Sequence, residues 1–305
     1  MDFRQLETFV AIAKFKSFSK AADYLFLTQP TISNHIQNLE NQLGTILINR
    51  TNKKVTLTKA GEILYSHALD ILNKRELALF NLEQFKGKIE GTLEIATSTT
   101  PEQYILPQFL NSFHRIYPDV KYHLLHFDSL QVVDSIINGE IDFGIVGARE
   151  DNKRLNYINL MADRLVVIAP NTAPYRDMNS ISIDFLKSSK MILREEGSGT
   201  RKIFEQALHQ QNISIDGFNV VAYIENTETI KQCVRLGLGL SIVSELSIAD
   251  EVNFNFLKKI EIEGLDLCRN FYFTYHRYRT LSPLAETFKN YVIEHSHPAP
   301  IKQKV

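Results

Sequence analysis

Only two cysteines, Cys233 and Cys268, occur in the 305 residues. They stand far apart with no histidines clustered around them, which excludes a zinc module and indicates a reducing compartment. A disulfide between them stays open, as does a redox role for the pair. Long apolar runs are missing too. No stretch approaches the length of a membrane-spanning helix. The opening residues, MDFRQLETFVAIAKF, carry charges throughout, where a secretory leader would have a basic start and an apolar run. The expected location is the cytoplasm, with no membrane partner. Excess charge is also absent: 34 Lys and Arg against 35 Asp and Glu give a formal net charge of −1. That rules out a generally basic coat, so any contact with DNA has to come from a local patch. Catalytic signatures are lacking as well. There is no His-Glu-x-x-His helix and no nucleophile elbow with ordered partners, and the nine histidines are scattered. No metal, cofactor or catalytic residue is expected, and the chain does not read as an enzyme. Repeats and low-complexity segments are absent.

A chain of this length and ordinary composition implies more than one domain. Its most informative stretch is residues 17–43. Before it, Phe3, Leu6, Phe9, Val10 and Ala13 make the apolar face of a first helix. Ser19 suits the cap of a second helix over 20–25, with Ala21, Ala22 and Leu25 inward. A third helix opens at Thr28, whose hydroxyl is placed to cap its free N–H groups. Pro30 fits the first turn, where it has no N–H bond to lose, and Gly44 ends the helix. Ile32, Ile36, Leu39 and Leu43 recur at helical spacing and face a core. The opposite stripe is Pro30, Ser33, Asn34, Gln37, Asn38 and Asn41, with no large apolar residue and no acid. Short amides and hydroxyls of this kind hydrogen-bond base edges in a major groove. For a lone helix the alternative is a solvated face; here the helix sits inside a longer pattern. His35, on its flank, is either a packing or phosphate partner or a base reader.

Two strand-like runs follow, at 46–48 and 55–57, joined by Asn49, Arg50, Thr51, Asn52, Lys53 and Lys54. They predict a hairpin with a basic tip. Residues 41–61 contain no acid yet hold Arg50, Lys53, Lys54 and Lys59. This is the local patch that the net charge hides. Flexible basic side chains beside a reader helix suit phosphate contacts, which add salt-dependent affinity and little sequence preference. An ordinary solvated turn is the alternative.

Residues 2–61 resemble the winged helix-turn-helix of the LysR-type transcriptional regulators. The resemblance is carried by Leu6-Glu7-Thr8-Phe9, Ser17-Phe18-Ser19-Lys20-Ala21-Ala22, Leu27-Thr28-Gln29-Pro30-Thr31-Ile32-Ser33, Ile36, Leu39-Glu40, Leu43-Gly44, Arg50 and Leu57-Thr58-Lys59-Ala60-Gly61. It implies that Gln29, Thr31, Ser33 and Asn34 face the groove and that Arg50 helps hold the wing to the DNA backbone. Joined to the readings above, the expected DNA-contacting set is Thr28, Gln29, Pro30, Thr31, Ser33, Asn34, Gln37, Arg50, Lys53 and Lys54. Asn34 stands where family members more often carry Arg. Asn pairs bidentately with adenine where Arg prefers guanine, so a generic half-site does not transfer.

Residues 58–88 form a long helical pattern. Leu64, Ile71, Ala78 and Phe85 recur every seven residues, with Ala68 and Leu82 between them and Arg75 interrupting. That suits a short two-stranded coiled coil; packing on its own chain is the alternative. The resemblance implies the dimer, in which linker helices pair two winged domains on an inverted-repeat operator. It further implies a homotetramer, and RNA polymerase as a partner.

Beyond Gly87 and Gly91 strands and helices alternate. Strands are expected at 93–96, 120–127, 141–146, 165–169, 191–193, 219–224 and 240–243, with a closing helix over 281–292, which predicts parallel sheets flanked by helices. One strand leads through Thr97-Ser98-Thr99-Thr100 into a helix opened by Pro101. Hydroxyls and free N–H groups there suit an anion, or simply cap the helix. A second such start is Arg194-Glu195-Glu196-Gly197-Ser198-Gly199-Thr200-Arg201, where two glycines let successive N–H groups converge. It lacks the Gly-Lys-Ser/Thr ending of a nucleotide loop. An anion pocket and a well-capped turn are both open readings.

LysR-type effector domains resemble periplasmic binding proteins: two α/β lobes, two crossing strands, and a ligand in the cleft. The resemblance therefore implies an α+β multidomain fold. A winged helix-turn-helix would span 1–58, a linker and dimerisation helix 59–89, a two-lobed effector domain 91–297, and a tail 298–305. Lobe 1 would be 91–162 with 268–297, and lobe 2 163–267, crossing near 161–165 and 265–269. Ser98, Thr99 and Thr100 would then face Ser198, Gly199 and Thr200, with Gly147 and Thr227 nearby, around a small anionic effector. The loop at 197–201 resembles that of regulators of sulfur assimilation and, in some anaerobes, of selenium metabolism. The expected function is a sequence-specific transcription factor controlled by that effector. The rival is a cytoplasmic small-anion binding protein that uses its N-terminal domain only to dimerise. The basic wing and uncharged reader helix argue against it.

Overall fold

The structure is a computed structural model that describes residues 1–51, 54–85 and 89–296. Lys53, residues 86–88 and the expected tail at 298–305 lie outside the described residues. The chain divides into two compact units, Met1–Ile89 with Arg277–Thr287, and Glu90–His276 with Phe288 onward. No helix among the described residues is long and apolar enough to cross a membrane.

In the first unit α1 (Phe3–Phe15) opens with a capping box. Asp2 accepts from the Gln5 N–H, and Gln5 accepts in return from the Asp2 N–H. Helix α2 (Phe18–Tyr24) is capped by Ser17, not by the expected Ser19. Ser17 has the extended backbone a cap needs, and its hydroxyl accepts from the Lys20 N–H at 3.3 Å, whereas Ser19 is already helical. Helix α3 (Gln29–Leu43) starts at the Thr28 cap and stops at Gly44, whose φ of +65° suits glycine. Ile32, Ile36 and Leu39 are buried against Leu6, Phe9, Ile12, Ala21 and Ala22. Leu43, which the helical spacing places with them, is instead 41% exposed. Residues 41–46 are all exposed, so the last turn of α3 outruns its packing.

The wing pairs β1 (Ile48–Thr51) with β2 (Lys54–Leu57), antiparallel, with Ile48 opposite Leu57. It begins two residues later than the sequence suggests because 46–47 are tied elsewhere. Leu47 N–H donates to Glu40 Oε1 at 2.8 Å, and Thr58 Oγ1 donates to the Ile46 carbonyl at 2.7 Å.

Helix α4 (Lys59–Phe85) divides its apolar residues between two tasks. Leu64, Tyr65, Ala68 and Leu72 pack on the winged core. Leu64 and Ala68, read from the seven-residue spacing as coiled-coil positions, are thus consumed within the chain. Ile63, Ile71, Leu79 and Leu82 remain exposed. Thr280 returns to this helix, donating its N–H to Asp70 and accepting from Asn73.

The second unit runs β3 (Gly91–Thr97), α5 (Thr99–Tyr104), α6 (Leu106–Ile116), β4 (Val120–His126), α7 (Ser129–Asn138), β5 (Phe143–Val146), β6 (Leu155–Pro170), β7 (Ser180–Ile181), α8 (Ile183–Ser188), β8 (Lys190–Leu193), α9 (Gly199–Gln210), β9 (Asn219–Tyr223), α10 (Thr227–Arg235), β10 (Leu240–Ser244), α11 (Ala249–Asn253), β11 (Leu257–Ile262), β12 (Cys268–His276) and the later part of α12 (Pro283–His295). The helix expected after Pro101 is broken at Ile105. The Pro107 ring in the first turn of α6 cannot follow an unbroken helix, where it would meet the carbonyl four residues back.

Among the described residues the strand order is β4-β3-β5-β12-β6-β10-β8-β9, with β11 also on β6 and β7 on β11. β3 runs parallel to β4 and β5, and β8 to β9 and β10. The sheet is nevertheless mixed, not purely parallel as the alternation suggests. β12 lies antiparallel to β5 and β6, and β10 and β11 antiparallel to β6. The cause is β6, sixteen residues long, which serves two lobes. Its first part pairs with β12, its second with β10 and β11, and the change falls where Arg164 sits opposite Cys268. Each lobe has its own core. Phe143 stacks on Phe273 at 4.6 Å with Phe113 and Phe288 close by, while Leu186, Met191, Phe204 and Leu208 fill the other. Both cysteines carry free thiols and are partly buried.

Candidate functional site

Two surfaces bear on function, one in each unit. On α3 and its cap, Thr28, Gln29, Pro30, Asn34 and Gln37 are exposed, and Thr31 and Ser33 are half-buried. Thr28 is committed locally, since its hydroxyl accepts from the Thr31 N–H at 3.4 Å and lies 2.8 Å from Thr31 Oγ1. Ser19 Oγ donates to Gln29 at 3.4 Å. His35 settles into packing: its Nδ1 is 2.9 Å from Thr8 Oγ1 on α1. Arg50 and Lys54 stand on the two wing strands, but their side chains and the whole of Lys53 lie outside the described residues. Beside the start of α3, Phe26 is 96% exposed at a φ of +54°.

In the second unit the two hydroxyl-rich helix starts come together. Neither Ser98 before α5 nor Ser198 before α9 spends its side chain on a cap, although Asp128, Ser182 and Asn226 cap their own helices. Their hydroxyls are thus not the simple caps that the sequence left as an alternative. Ser98, Thr99, Thr100, Gly147, Ser198, Gly199 and Thr200 all line one cleft between the lobes. Thr227 stands behind it and reaches it only through Arg194.

Two buried arginines organise the walls. Arg194 donates to Thr99 of one lobe at 3.1 Å and to Thr227 of the other at 3.3 Å, and it grips Glu195 with two bonds of 2.7 and 2.8 Å. Arg269 donates from Nε to Asp163 at 2.7 Å and from Nη1 to Thr200 at 3.1 Å, with its guanidinium 4.6 Å from the Phe271 ring centre. Asp163 also accepts from Ser244 at 2.8 Å. Burial pulls the Arg269 guanidinium below its ordinary pKa, and the neighbouring Asp163 opposes that shift. A guanidinium of this kind stays charged at any physiological pH.

Glycines let the walls approach. A Cβ on Gly147 would come to 3.0 Å from Arg269 Nη1, and one on Gly199 to 2.9 Å from Ser129 Oγ. At Gly197 it would overlap the Asp128 carboxylate. The cleft encloses about 10 Å³, room for roughly one water. Its flanks are tied across the lobes. Tyr104 Oη donates to Glu228 at 2.8 Å, and Lys202 pairs with Glu150 and donates to the Arg149 carbonyl. Burial, then the Glu228 contact, pushes the Tyr104 hydroxyl up to about 12.

Arg194, Arg269, Asp128 and Ser129 line the cleft as well and were not picked out from the sequence. Arg269 left one signal, a charged residue in a strand that otherwise alternates apolar side chains inward. Arg201, expected to add charge to the cleft, instead pairs with Glu205 at 2.7 Å and lies over Tyr223. Glu196 is exposed, while Glu195 is occupied by Arg194.

Comparison with known proteins agrees with both surfaces. Residues 3–62 match the bacterial regulatory helix-turn-helix protein family, lysR type, and residues 86–296 match the LysR substrate binding domain. The HTH-type transcriptional activator CmpR of Synechocystis is 33% identical over 299 residues, covering 98% of this chain and 97% of that protein. The regulatory domain of Synechocystis CcmR, solved in complex with 2-PG, superposes with a TM-score of 0.62 at 28% identity, over 69% of this chain and all of that one. A full-length OxyR variant from Pseudomonas aeruginosa reaches a TM-score of 0.75 over 97% of this chain and 95% of that one; at 20% identity this is a likeness of fold. The chain belongs to the LysR family and is a DNA-binding transcriptional regulator with an effector-binding domain, not an enzyme.

Proposed function

We propose that this regulator works in the cytoplasm as a homotetramer on an inverted-repeat operator, and that a small anionic effector between the lobes sets its DNA binding. The observation that carries the effector reading is the pair of helix starts whose serines leave their hydroxyls uncommitted, facing one cleft beside two buried arginines. Ser98, Thr99, Thr100, Gly147, Ser198, Gly199 and Thr200 would form the effector site, with Thr227 supporting it through Arg194. The complex of CcmR with 2-PG supports a small-molecule ligand for this kind of domain. Thr28, Gln29, Pro30, Thr31, Ser33, Asn34, Gln37, Arg50, Lys53 and Lys54 would form the DNA surface, with Thr28 acting through the geometry of the helix start. The functional parts would be the winged domain over 1–58, the linker over 59–89 and the effector domain over 91–297. RNA polymerase would be a partner at the promoter.

Effector binding between lobes alters their relative placement and hence the geometry of the dimers on DNA. It does so only to the extent that the effector binds the two states unequally. The deciding measurement is the affinity of the purified protein for its own upstream DNA against random DNA at physiological salt. Equal affinities would reject the operator reading. Ser33→Ala is expected to weaken the specific site chiefly. Lys53→Ala should weaken all DNA about equally and reduce the salt slope by about one. For the effector, a Thr100→Ala/Ser198→Ala double variant of the full chain should lose ligand-induced thermal stabilisation.

A further inference from the structure

Two buried polar atoms in the cleft have no hydrogen-bond partner among the described residues: Ser129 Oγ and Arg269 Nη2. Both residues are more than nine-tenths buried, and both line the cavity. A buried hydroxyl or guanidinium N–H left without an acceptor is costly, so native structures rarely leave one in place without a ligand or water to receive it. A third donor set lies beside them. α9 is a twelve-residue helix whose N-cap side chain makes no bond to it, so its first N–H groups and the positive end of its dipole face the cavity at Gly199 and Thr200. Gly199 is close enough to Ser129 that a methyl group there would strike the hydroxyl.

We infer that this cavity receives the carboxylate of a small organic acid, one side of it taken by Arg269 Nη2, another by Ser129 Oγ, and the first turn of α9 completing the grip. The inference rests on the effector reading and names the chemical group that fits it. A carboxylate has two oxygens, each with lone pairs to spare, so it can accept from separated donors at once. Charge selects it over sulfate or phosphate. Arg194 is already gripped by Glu195, Arg269 is already paired with Asp163, and Asp128 stands at the rim. Two guanidinium groups thus face three carboxylates before a ligand arrives. A second or third negative charge on the ligand would be repelled in a site that excludes water. Room for about one water in the closed cleft also demands a compact, flat head group. Ser129 comes from the first lobe, Gly199 from the second, and Arg269 from the strand that joins them. A carboxylate bound there ties all three together and favours closure.

The test uses the full chain with acetate and glycolate as carboxylate probes, sulfate and phosphate as tetrahedral probes, and chloride at matched ionic strength as control. Thermal shift and calorimetric titration are read for wild type, Ser129→Ala and Ser135→Ala. Ser135 is a matched control on the same helix: it is buried, but its hydroxyl already donates to the Gln131 carbonyl. Acetate or glycolate should raise the melting temperature with concentration, and Ser129→Ala should weaken that binding about tenfold. The free Ser129→Ala protein should melt no lower than wild type, because the lost hydroxyl had no partner to lose. A hydroxyl with a structural role would give the opposite sign. Ser135→Ala should leave affinity unchanged. Preferential Ser129-dependent binding of sulfate or phosphate would overturn the carboxylate assignment. Carboxylate binding lost in Thr100→Ala/Ser198→Ala but intact in Ser129→Ala would keep the cleft and overturn the grip. A flat response to all four probes would overturn the inference, while the operator measurement would still decide the proposed function independently.

Discussion

The side chain of Arg269 is 2% exposed and that of its partner Asp163 1% exposed. At that depth an ion pair is held more by the cost of breaking it than by its net attraction. Arg269→Ala would leave the Asp163 carboxylate buried with Ser244 as its remaining bonded neighbour. The expected loss is about 3–5 kcal/mol in urea unfolding. Phe26 shows the reverse situation. Its ring is almost fully in water and its backbone is left-handed, a conformation that costs a bulky residue roughly 1–2 kcal/mol. Asn adopts that conformation more readily, so Phe26→Asn should raise stability by about 0.5–1 kcal/mol. A fall in the unfolding midpoint would show that the ring is held by something beyond its exposed surroundings.

The linker helix separates two kinds of leucine. Leu64 is partly buried against the winged core, whereas Leu79 and Leu82 are 49% and 60% exposed. A helix that leaves such residues in water has a face to cover. A Leu79→Glu/Leu82→Glu variant should therefore dissociate in sedimentation velocity while keeping its helical circular dichroism. Leu64→Ala should instead lower stability by about 1–3 kcal/mol with little effect on association. Sequence periodicity alone treats Leu64, Ile71, Ala78 and Phe85 alike. Spacing reports which residues share a stripe; it cannot say whether the stripe meets the same chain or another. The start of α2 teaches the same lesson on a shorter scale, since both Ser17 and Ser19 have the chemistry of a cap and only backbone conformation chose between them.

Across the effector unit, closure is written in bonds from lobe to lobe. Tyr104 Oη to Glu228 is one that a single atom can remove. Tyr104→Phe should raise the effector concentration needed for half-maximal response while leaving the fold intact. Its pH dependence has a defined sign. Folding raises the hydroxyl from the ordinary 10.0 to about 12 by burial, then by the Glu228 contact. The protonated form is thus the favoured one in the folded protein. The stability advantage of wild type over Tyr104→Phe should be fully present below about pH 10 and disappear as pH rises through about 12. An advantage that vanished near neutral pH would mean that another group controls this contact.

The winged domain was legible because its determinants are local. The cap at Thr28, Pro30 in the first turn, the stripe of Ile32, Ile36 and Leu39, and the stop at Gly44 act within a few residues of one another. The hydroxyls at Ser98 and Ser198 were legible for the same reason, as short runs before helices. The cleft they line was not. Arg194 comes from the end of one strand, Arg269 from another, and Ser129 from a helix of the first lobe; they meet because β6 runs through both lobes and β12 returns alongside it. Nothing in the spacing of those residues encodes their meeting. A buried charge announces itself only once its partners are known, and here the partners are supplied by long-range strand pairing. The sequence by itself determined the reader helix, its caps and the two anion-type helix starts, all set by short-range backbone and side-chain chemistry. Tertiary structure alone decided which hydroxyls and arginines share a cavity and which two donors there remain unsatisfied.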